Sequence, residues 1–214
     1  MSSFIGHSVA AITIYIATES SFKPSSIARR SNNNFKRFLW LFWLIVVASV
    51  PDLDYVVEVW QSGNNQGLRI THSILFSSIA PSLTLVILFS LGTRGRKLYL
   101  NALQLMMAGL SHLLLDLSVG VTPLPLLFPV VNIPFKLPFG ILPSAGKIDL
   151  SNYDFYRNLK LEMGVLLPIL GLVLLWSDRA SRRSSIKYWM LAFISTLLLL
   201  CCGYFASLNL ALPR

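Results

Sequence analysis

Charged side chains are scarce in this chain, and acidic side chains are the scarcest. Asp, Glu, Lys and Arg make up 13% of the 214 residues, nine residues are acidic, and 54% are hydrophobic. This composition is too apolar for an ordinary soluble domain. It predicts an integral membrane protein.

Cysteine is nearly absent as well. Cys201 and Cys202 are the two in the chain, and they are adjacent, which excludes a disulfide framework and a CxxC ligand pair. Residues 1–18 lack a basic stretch before their apolar run and a small-residue cleavage site. We therefore expect them to remain in the protein and not to act as a removable signal peptide.

Long apolar runs are what the chain has instead. The sequence predicts an all-α fold, a polytopic membrane bundle of about six apolar helices forming a single membrane-embedded domain over residues 1–214. Some runs are shorter than the roughly 20 residues of a full span, so tilting or partial insertion is open for them. The predicted segments cover residues 4–18, 36–50, 72–92, 97–119, 162–177 and 187–208.

Basic residues cluster between these segments, and the formal net charge is +9. If all six segments cross the bilayer, twelve of the eighteen basic residues fall on one side, which the positive-inside rule assigns to the cytoplasm. This predicts a multi-pass protein of the inner (plasma) membrane with cytoplasmic basic loops, and nothing in the pattern supports a nucleic-acid partner. The clusters are Lys23, Arg29, Arg30, Lys36 and Arg37; Arg94, Arg96 and Lys97; and Arg179, Arg182, Arg183 and Lys187.

A proline-rich stretch, residues 120–161, separates the fourth and fifth segments. Its six prolines exclude a regular helix, while its leucines and phenylalanines argue against disorder. We expect an ordered cover over the extracytoplasmic face.

Ionisable residues inside or beside apolar segments are costly, so they are candidates for function. In GLSHLLLDLSVG, His112 and Asp116 lie four residues apart and share one face of a helix. The topology places further polar residues at the same extracytoplasmic ends, including all three histidines of the chain. The set is His7, Asp52, Asp54, Arg69, His72, His112, Asp116 and Glu162.

Two short motifs carry four of these residues. In PDLD, Pro51 ends a helix, and an extended continuation would place Asp52 and Asp54 on one face. In RITHS, Thr71 is the expected N-cap, which would put His72 in the first helical turn, where the helix dipole favours the neutral imidazole. Arg69 cannot ligate a cation, but it can bind a phosphate or a carboxylate of a substrate.

A mixed set of imidazoles and carboxylates suits Zn²⁺ or Mn²⁺. Two such ions could activate water and stabilise the leaving oxygen of a phosphoester. We therefore expect a divalent metal site with one or two ions. Glu162 would add a further ligand, and the alternative for it is a charge at a helix start, where the dipole favours it.

His7, PDLD, RITHS, GLSHLLLD and the following VTPLPLLFP and KLPFG together resemble the YdjM-type (LexA-regulated) membrane-bound metal-dependent hydrolase family, in motif order from His7 to about Glu162. That family is more distantly similar to zinc phospholipase C and S1-type nucleases. The resemblance implies metal ligation by His7, Asp54, His72, His112 and Asp116. Those soluble enzymes use additional histidines, so a complete trinuclear site is not expected here.

The leading hypothesis is an integral membrane metal-dependent hydrolase of lipid or lipid-linked phosphoesters, with Asp52 as general base and Arg69 binding the anionic group. The lipid bilayer is then its partner, with a phospholipid or lipid-linked phosphoester as substrate. The alternative is a non-catalytic membrane protein, a small transporter or an assembly factor, with a structural metal or polar cluster.

Overall fold

The computed structural model describes residues 2–22, 34–55, 69–120, 122–138, 140, 142, 153–177, 189–191, 193–198 and 201. Within these residues every regular element is helical, which confirms the predicted all-α class. The helices are α1 (Phe4–Phe22), α2 (Asn34–Ser49), α3 (Ile74–Ser77), α4 (Ile79–Ser90), α5 (Gly95–Val119) and α6 (Tyr153–Ser177). A 3-10 helix, Val50–Tyr55, follows α2, and a 3-10 turn, Ile70–His72, precedes α3.

Two of the boundaries that differ from the prediction bear on the site. The fifth segment was expected to begin at residue 162, but α6 begins at Tyr153, so Glu162 lies well inside a helix. The third was expected to begin at residue 72, but its helix begins at Ile74 and is interrupted at Ser78. The predicted bounds follow apolar content alone. Helices can also contain polar residues, so α6 extends back to Tyr153, and an apolar run can start before its helix does, so α3 begins only at Ile74.

The core of the bundle lies where α1, α2 and α5 meet. Small and branched side chains from the three helices are buried there against one another, and α6 packs against α1. The fully buried members are Ala11, Leu44, Val47, Ala48, Leu105 and Ala108.

A buried amide joins the same three helices. The Gln104 side chain of α5 accepts a hydrogen bond from Trp40 Nε1 of α2 at 2.6 Å and donates one to Thr18 Oγ1 of α1 at 2.9 Å. Hydrogen bonds of this kind between apolar helices contribute about 0.6 kcal/mol on average and also fix the helices in register. Gln104 thus sets the relative height of α1, α2 and α5.

Close approach of α3 and α4 to α5 depends on Gly109. A Cβ atom at this position would lie 2.7 Å from the backbone oxygen of Ser77 and 3.3 Å from Pro81. Small residues allow such close contacts between membrane helices. Since His112 follows Gly109 by about one turn, this contact brings the start of α3 beside the site end of α5.

By length and composition, one described helix, α5, is able to cross a membrane. A shorter apolar helical stretch is formed by α3 and α4, and residues 189–191 and 193–198 are also helical.

The described part of the proline-rich stretch packs back on the helices. Leu124 and Phe135 form an isolated antiparallel bridge, and Leu124 is fully buried. Leu126 O accepts a hydrogen bond from Ile74 N at 3.0 Å, and Ser118 O accepts one from Leu142 N at 3.1 Å. These contacts tie the stretch to the beginning of α3 and the end of α5. Residues 143–152 of it lie outside the described part of the chain.

Candidate metal centre

Four elements end at the same place, and each brings an ionisable side chain. His7 lies in the first turns of α1, Asp52 in the 3-10 helix after α2, His72 in the turn before α3, and His112 and Asp116 near the end of α5. The predicted grouping of these five residues at one end of the bundle is what the structure has. The imidazoles and Asp116 are fully buried, while the Asp52 side chain keeps 22% of its surface exposed.

The local structure differs from what the two motifs predicted. PDLD is helical, with about 120° between successive residues of a 3-10 helix, so alternate positions do not share a face. In RITHS the N-cap of α3 is Ser73, whose hydroxyl accepts from Phe76 N at 3.2 Å, and Thr71 is not the cap. Thr71 Oγ1 instead lies 2.9 Å from His72 Nδ1.

The innermost group consists of Asp52, His72, His112 and Asp116, each offering one ligand atom within 4.8 Å of the others. His72 Nε2 lies 3.2 Å from His112 Nε2 and 3.2 Å from Asp116 Oδ2. Asp52 Oδ1 lies 3.7 Å from each imidazole Nε2, and His112 Nε2 lies 3.8 Å from Asp116 Oδ2.

These separations fit a tetrahedral cation. Bonds of about 2.0–2.1 Å, as for zinc and imidazole nitrogen, give a tetrahedron with edges of about 3.3 Å. Five ligand pairs lie between 3.2 and 3.8 Å apart, and the sixth, between the two carboxylates, is at most 4.8 Å. The residues therefore fit a divalent metal with nitrogen and oxygen ligands.

Outer partners orient the ligand atoms. His112 Nδ1 lies 2.7 Å from the carbonyl oxygen of Ala48, which can only accept, so Nδ1 carries the proton and Nε2 presents its lone pair to the group. Ser2 N donates a hydrogen bond to Asp116 Oδ1 at 2.8 Å, and the other oxygen, Oδ2, faces the imidazoles of His72 and His112. No sequence pattern indicated the Ala48 carbonyl, since any residue carries one, or Ser2, which lies before the first apolar run.

His7 is held beside this group. Its ring stacks on that of His112, with centroids 3.9 Å apart and planes 14° apart. Its Nε2 lies 3.7 Å from Asp52 Oδ2 and 3.9 Å from Asp116 Oδ1, the oxygens that face away from the other imidazoles. Among the described residues, neither ring nitrogen of His7 has a hydrogen-bond partner. Buried polar atoms normally have one, so this ring is suited to a ligand beyond the protein's own groups.

The electrostatic environment of Asp52 and His72 favours positive charge. Burial alone would raise the pKa of Asp52, but His72, His112 and His7 outweigh it and hold that pKa below its usual range. Burial alone would lower the pKa of His72, but Asp116 and Asp52 raise it above its usual range. The expectation that His72 lies in the first turn of α3 was wrong, because His72 precedes Ser73, the N-cap of that helix. The carboxylates of Asp52 and Asp116 attract a proton or a metal cation at the same point.

Arg69 stands at the edge of the group. Its Nη2 lies 3.7 Å from Asp52 Oδ1, and its side chain is 16% exposed. The guanidinium therefore lies next to Asp52, the member of the inner group that solvent can reach.

Two further predicted ligands lie elsewhere or cannot be placed. Glu162 is fully buried, and its carboxylate accepts from Ser3 N at 3.0 and 3.1 Å and from Ser2 Oγ, so it lies outside the inner group. Its ligand role stays a prediction. The side chain of Asp54 lies outside the described part of the chain.

In the described part of the chain, the fold and the site together define a helical bundle with a buried His and Asp group that could hold a metal ion. The family model described as YdjM inner membrane protein matches residues 1–209. The chain belongs to that family, and it is an inner membrane protein. No curated protein and no solved structure matches it significantly.

Metal binding can be tested on the purified protein. We expect stoichiometric Zn²⁺ or Mn²⁺ after reconstitution, and His112→Ala should weaken binding by more than the roughly 100-fold typical of losing an outer partner, because it removes a ligand atom. The measurement is metal content and competition with a chelator. Ser111→Ala, one residue away and bonded to Ala108 O, is the matched control and should bind normally. Equal metal content in both variants would contradict a metal centre at this group.

Proposed function

We propose that this protein is an integral membrane metal-dependent hydrolase of phosphoesters. The observation that carries the proposal is the inner group, which combines tetrahedral spacing of two imidazoles and two carboxylates with a neighbouring guanidinium. A bound divalent ion would supply an activated water and charge stabilisation for the leaving oxygen.

The fully buried members of the group are suited to hold the ion. His72, His112 and Asp116 make a set of three protein ligands, the number typical of catalytic zinc sites that keep one position open. Their two nitrogens and one oxygen suit Zn²⁺ and also Mn²⁺. His7, with the outer oxygens of Asp52 and Asp116 at 3.7 and 3.9 Å, would be the protein's contribution to a second ion.

Asp52 and Arg69 are assigned to the reaction itself. Asp52 is the inner-group side chain that solvent reaches, so it can take a proton from water as a general base. Arg69 lies beside it and can bind the anionic oxygens of a phosphoester through its planar donor fork.

An apolar groove next to the site supports a lipid substrate. It has a volume of about 640 Å³ and begins at Ile74, two residues after His72. Its walls come from α3 and α4 on one side and the proline-rich stretch on the other, and Leu75, Leu83 and Leu127 are exposed along it. Such a groove can receive an acyl chain while the phosphoester lies at the inner group.

The proposed arrangement in the membrane is a polytopic bundle of six apolar segments with cytoplasmic basic loops. It puts the inner group and the proline-rich cover on the extracytoplasmic face. The substrate would then enter from the outer leaflet of the inner membrane.

Substitution of Asp52 distinguishes a catalytic metal site from a structural one. We expect Asp52→Asn to keep its metal and to lose about 10²- to 10⁴-fold in kcat, because an amide cannot take up the proton. Hydrolysis of phosphodiester and phosphomonoester lipids by the metal-loaded protein is the assay. If Asp52→Asn loses its metal instead, Asp52 completes a closed four-ligand site. That result would support the non-catalytic alternative.

The groove predicts chain-length selectivity. Leu83→Trp should raise KM about tenfold for a long-chain phospholipid, equivalent to roughly 1.4 kcal/mol of lost contact, and leave KM for a water-soluble phosphodiester unchanged. Leu91→Trp, at the exposed end of α4 and outside the groove, is the matched control. Equal effects on both substrates would argue against acyl-chain binding there.

Membrane orientation can be read by thiol labelling. In a Cys201→Ser, Cys202→Ser background, Ile133→Cys should react with a membrane-impermeant maleimide added to spheroplasts, because the proline-rich stretch faces outward. Leu91→Cys, in the exposed α4–α5 turn, should react only after the membrane is opened. The reverse pattern would invert the proposed topology.

A further inference from the structure

The beginning of α1 lacks one half of a common helix cap. Ser3 is the N-cap, since Phe4 is the first helical residue and Ser3 Oγ accepts from Gly6 N at 3.0 Å. In a capping box the residue at this third helical position is Glu or Gln, and its side chain accepts from the N–H of the N-cap. Here that position is Gly6, which has no side chain.

A carboxylate from another helix occupies the missing place. Glu162 of α6 accepts from Ser3 N through both oxygens, at 3.0 and 3.1 Å, and also from Ser2 Oγ. A Cβ atom on Gly6 would overlap Glu162 Oε1 and lie 2.9 Å from its carboxyl carbon. Gly6 and Glu162 therefore fit each other, because the absent side chain of one makes room for the carboxylate of the other.

The residues held by this cap reach directly into the candidate metal centre. Ser2, bonded to Glu162 through its hydroxyl, donates its N–H to Asp116 Oδ1 at 2.8 Å. His7 follows Gly6, and its N–H makes the first helical hydrogen bond of α1, to Ser3 O at 3.1 Å. The cap thus fixes both the rotation of the Asp116 carboxylate and the place of the His7 ring.

We propose that Glu162 is a positioning residue of the metal centre, acting as the capping carboxylate of α1 from α6, and that it is not a metal ligand. The inference rests on the proposed metal centre for its effect on affinity, but the cap itself needs no metal. Loss of an outer partner of this kind typically weakens metal binding 10- to 100-fold.

The test moves the carboxylate back to where a capping box would have it. Glu162→Ala should lower the Tm of the chelator-treated protein by about 2–4 °C and weaken Zn²⁺ binding 10- to 100-fold. Adding Gly6→Glu to Glu162→Ala should restore both, because the carboxylate can again reach Ser3 N. Gly6→Ala in the same background is the matched control, since it removes the glycine without supplying a carboxylate, and it should not restore Zn²⁺ affinity.

In the otherwise unchanged protein, Gly6→Glu should lower the Tm, because two carboxylates then compete for one set of donors. Restoration by Gly6→Glu together with this incompatibility supports the cap. If Glu162→Ala abolishes metal binding, leaves the Tm of the metal-free protein unchanged and is not rescued, Glu162 is a ligand and the inference is overturned. An unaltered Tm and an unaltered Zn²⁺ affinity in Glu162→Ala would overturn it too. A protein whose metal-free Tm follows the expected pattern but which binds no Zn²⁺ keeps the cap and loses the proposed metal centre.

Discussion

Two carboxylates removed from most of their water, those of Asp52 and Asp116, are the constraint on which the rest of the structure depends. A buried carboxylate is stable only when positive charge and hydrogen-bond donors surround it. Three imidazoles, a guanidinium and the N–H of Ser2 converge on this pair. To supply them, α1, α2, α3 and α5 must all place one end at the same depth. The Gln104 bridge and the close contact at Gly109 are the features that hold those ends level.

The side chains of the inner group come partly from a helix and partly from short connecting segments. α5 carries His112 and Asp116 on one rigid face, with the imidazole oriented by a backbone carbonyl of α2. Asp52 and His72 come from 3-10 segments at the ends of helices, where backbone geometry differs from that of a helix and side chains can turn inward. The helix α5 therefore supplies two fully buried members of the site, and of the two from the connecting segments His72 is fully buried while Asp52 is partly exposed.

Much of this could be predicted from the sequence because membrane helices impose simple rules. Apolar length indicated the helices, and the spacing of His112 and Asp116 indicated a shared helix face. The membrane side inferred from loop charge stays a prediction. Local backbone form was harder. PDLD was expected to be extended and Thr71 to be a cap, and both expectations failed because tertiary contacts decided the conformation of these short segments. The hydrogen-bond partners of Glu162 could not be predicted, since they depend on which helix packs against α1.

One consequence of the Glu162 contact concerns the order in which the protein is assembled. Ser3 and Glu162 are 159 residues apart in the chain, yet they share the hydrogen bonds that begin α1. During synthesis α1, α2 and α5 are all made before Glu162 is. The five grouped His and Asp residues can therefore gather early, but the first turn of α1 obtains its acceptor only when α6 docks. The acceptor for the first turn of α1 is therefore available only after α6 has been made.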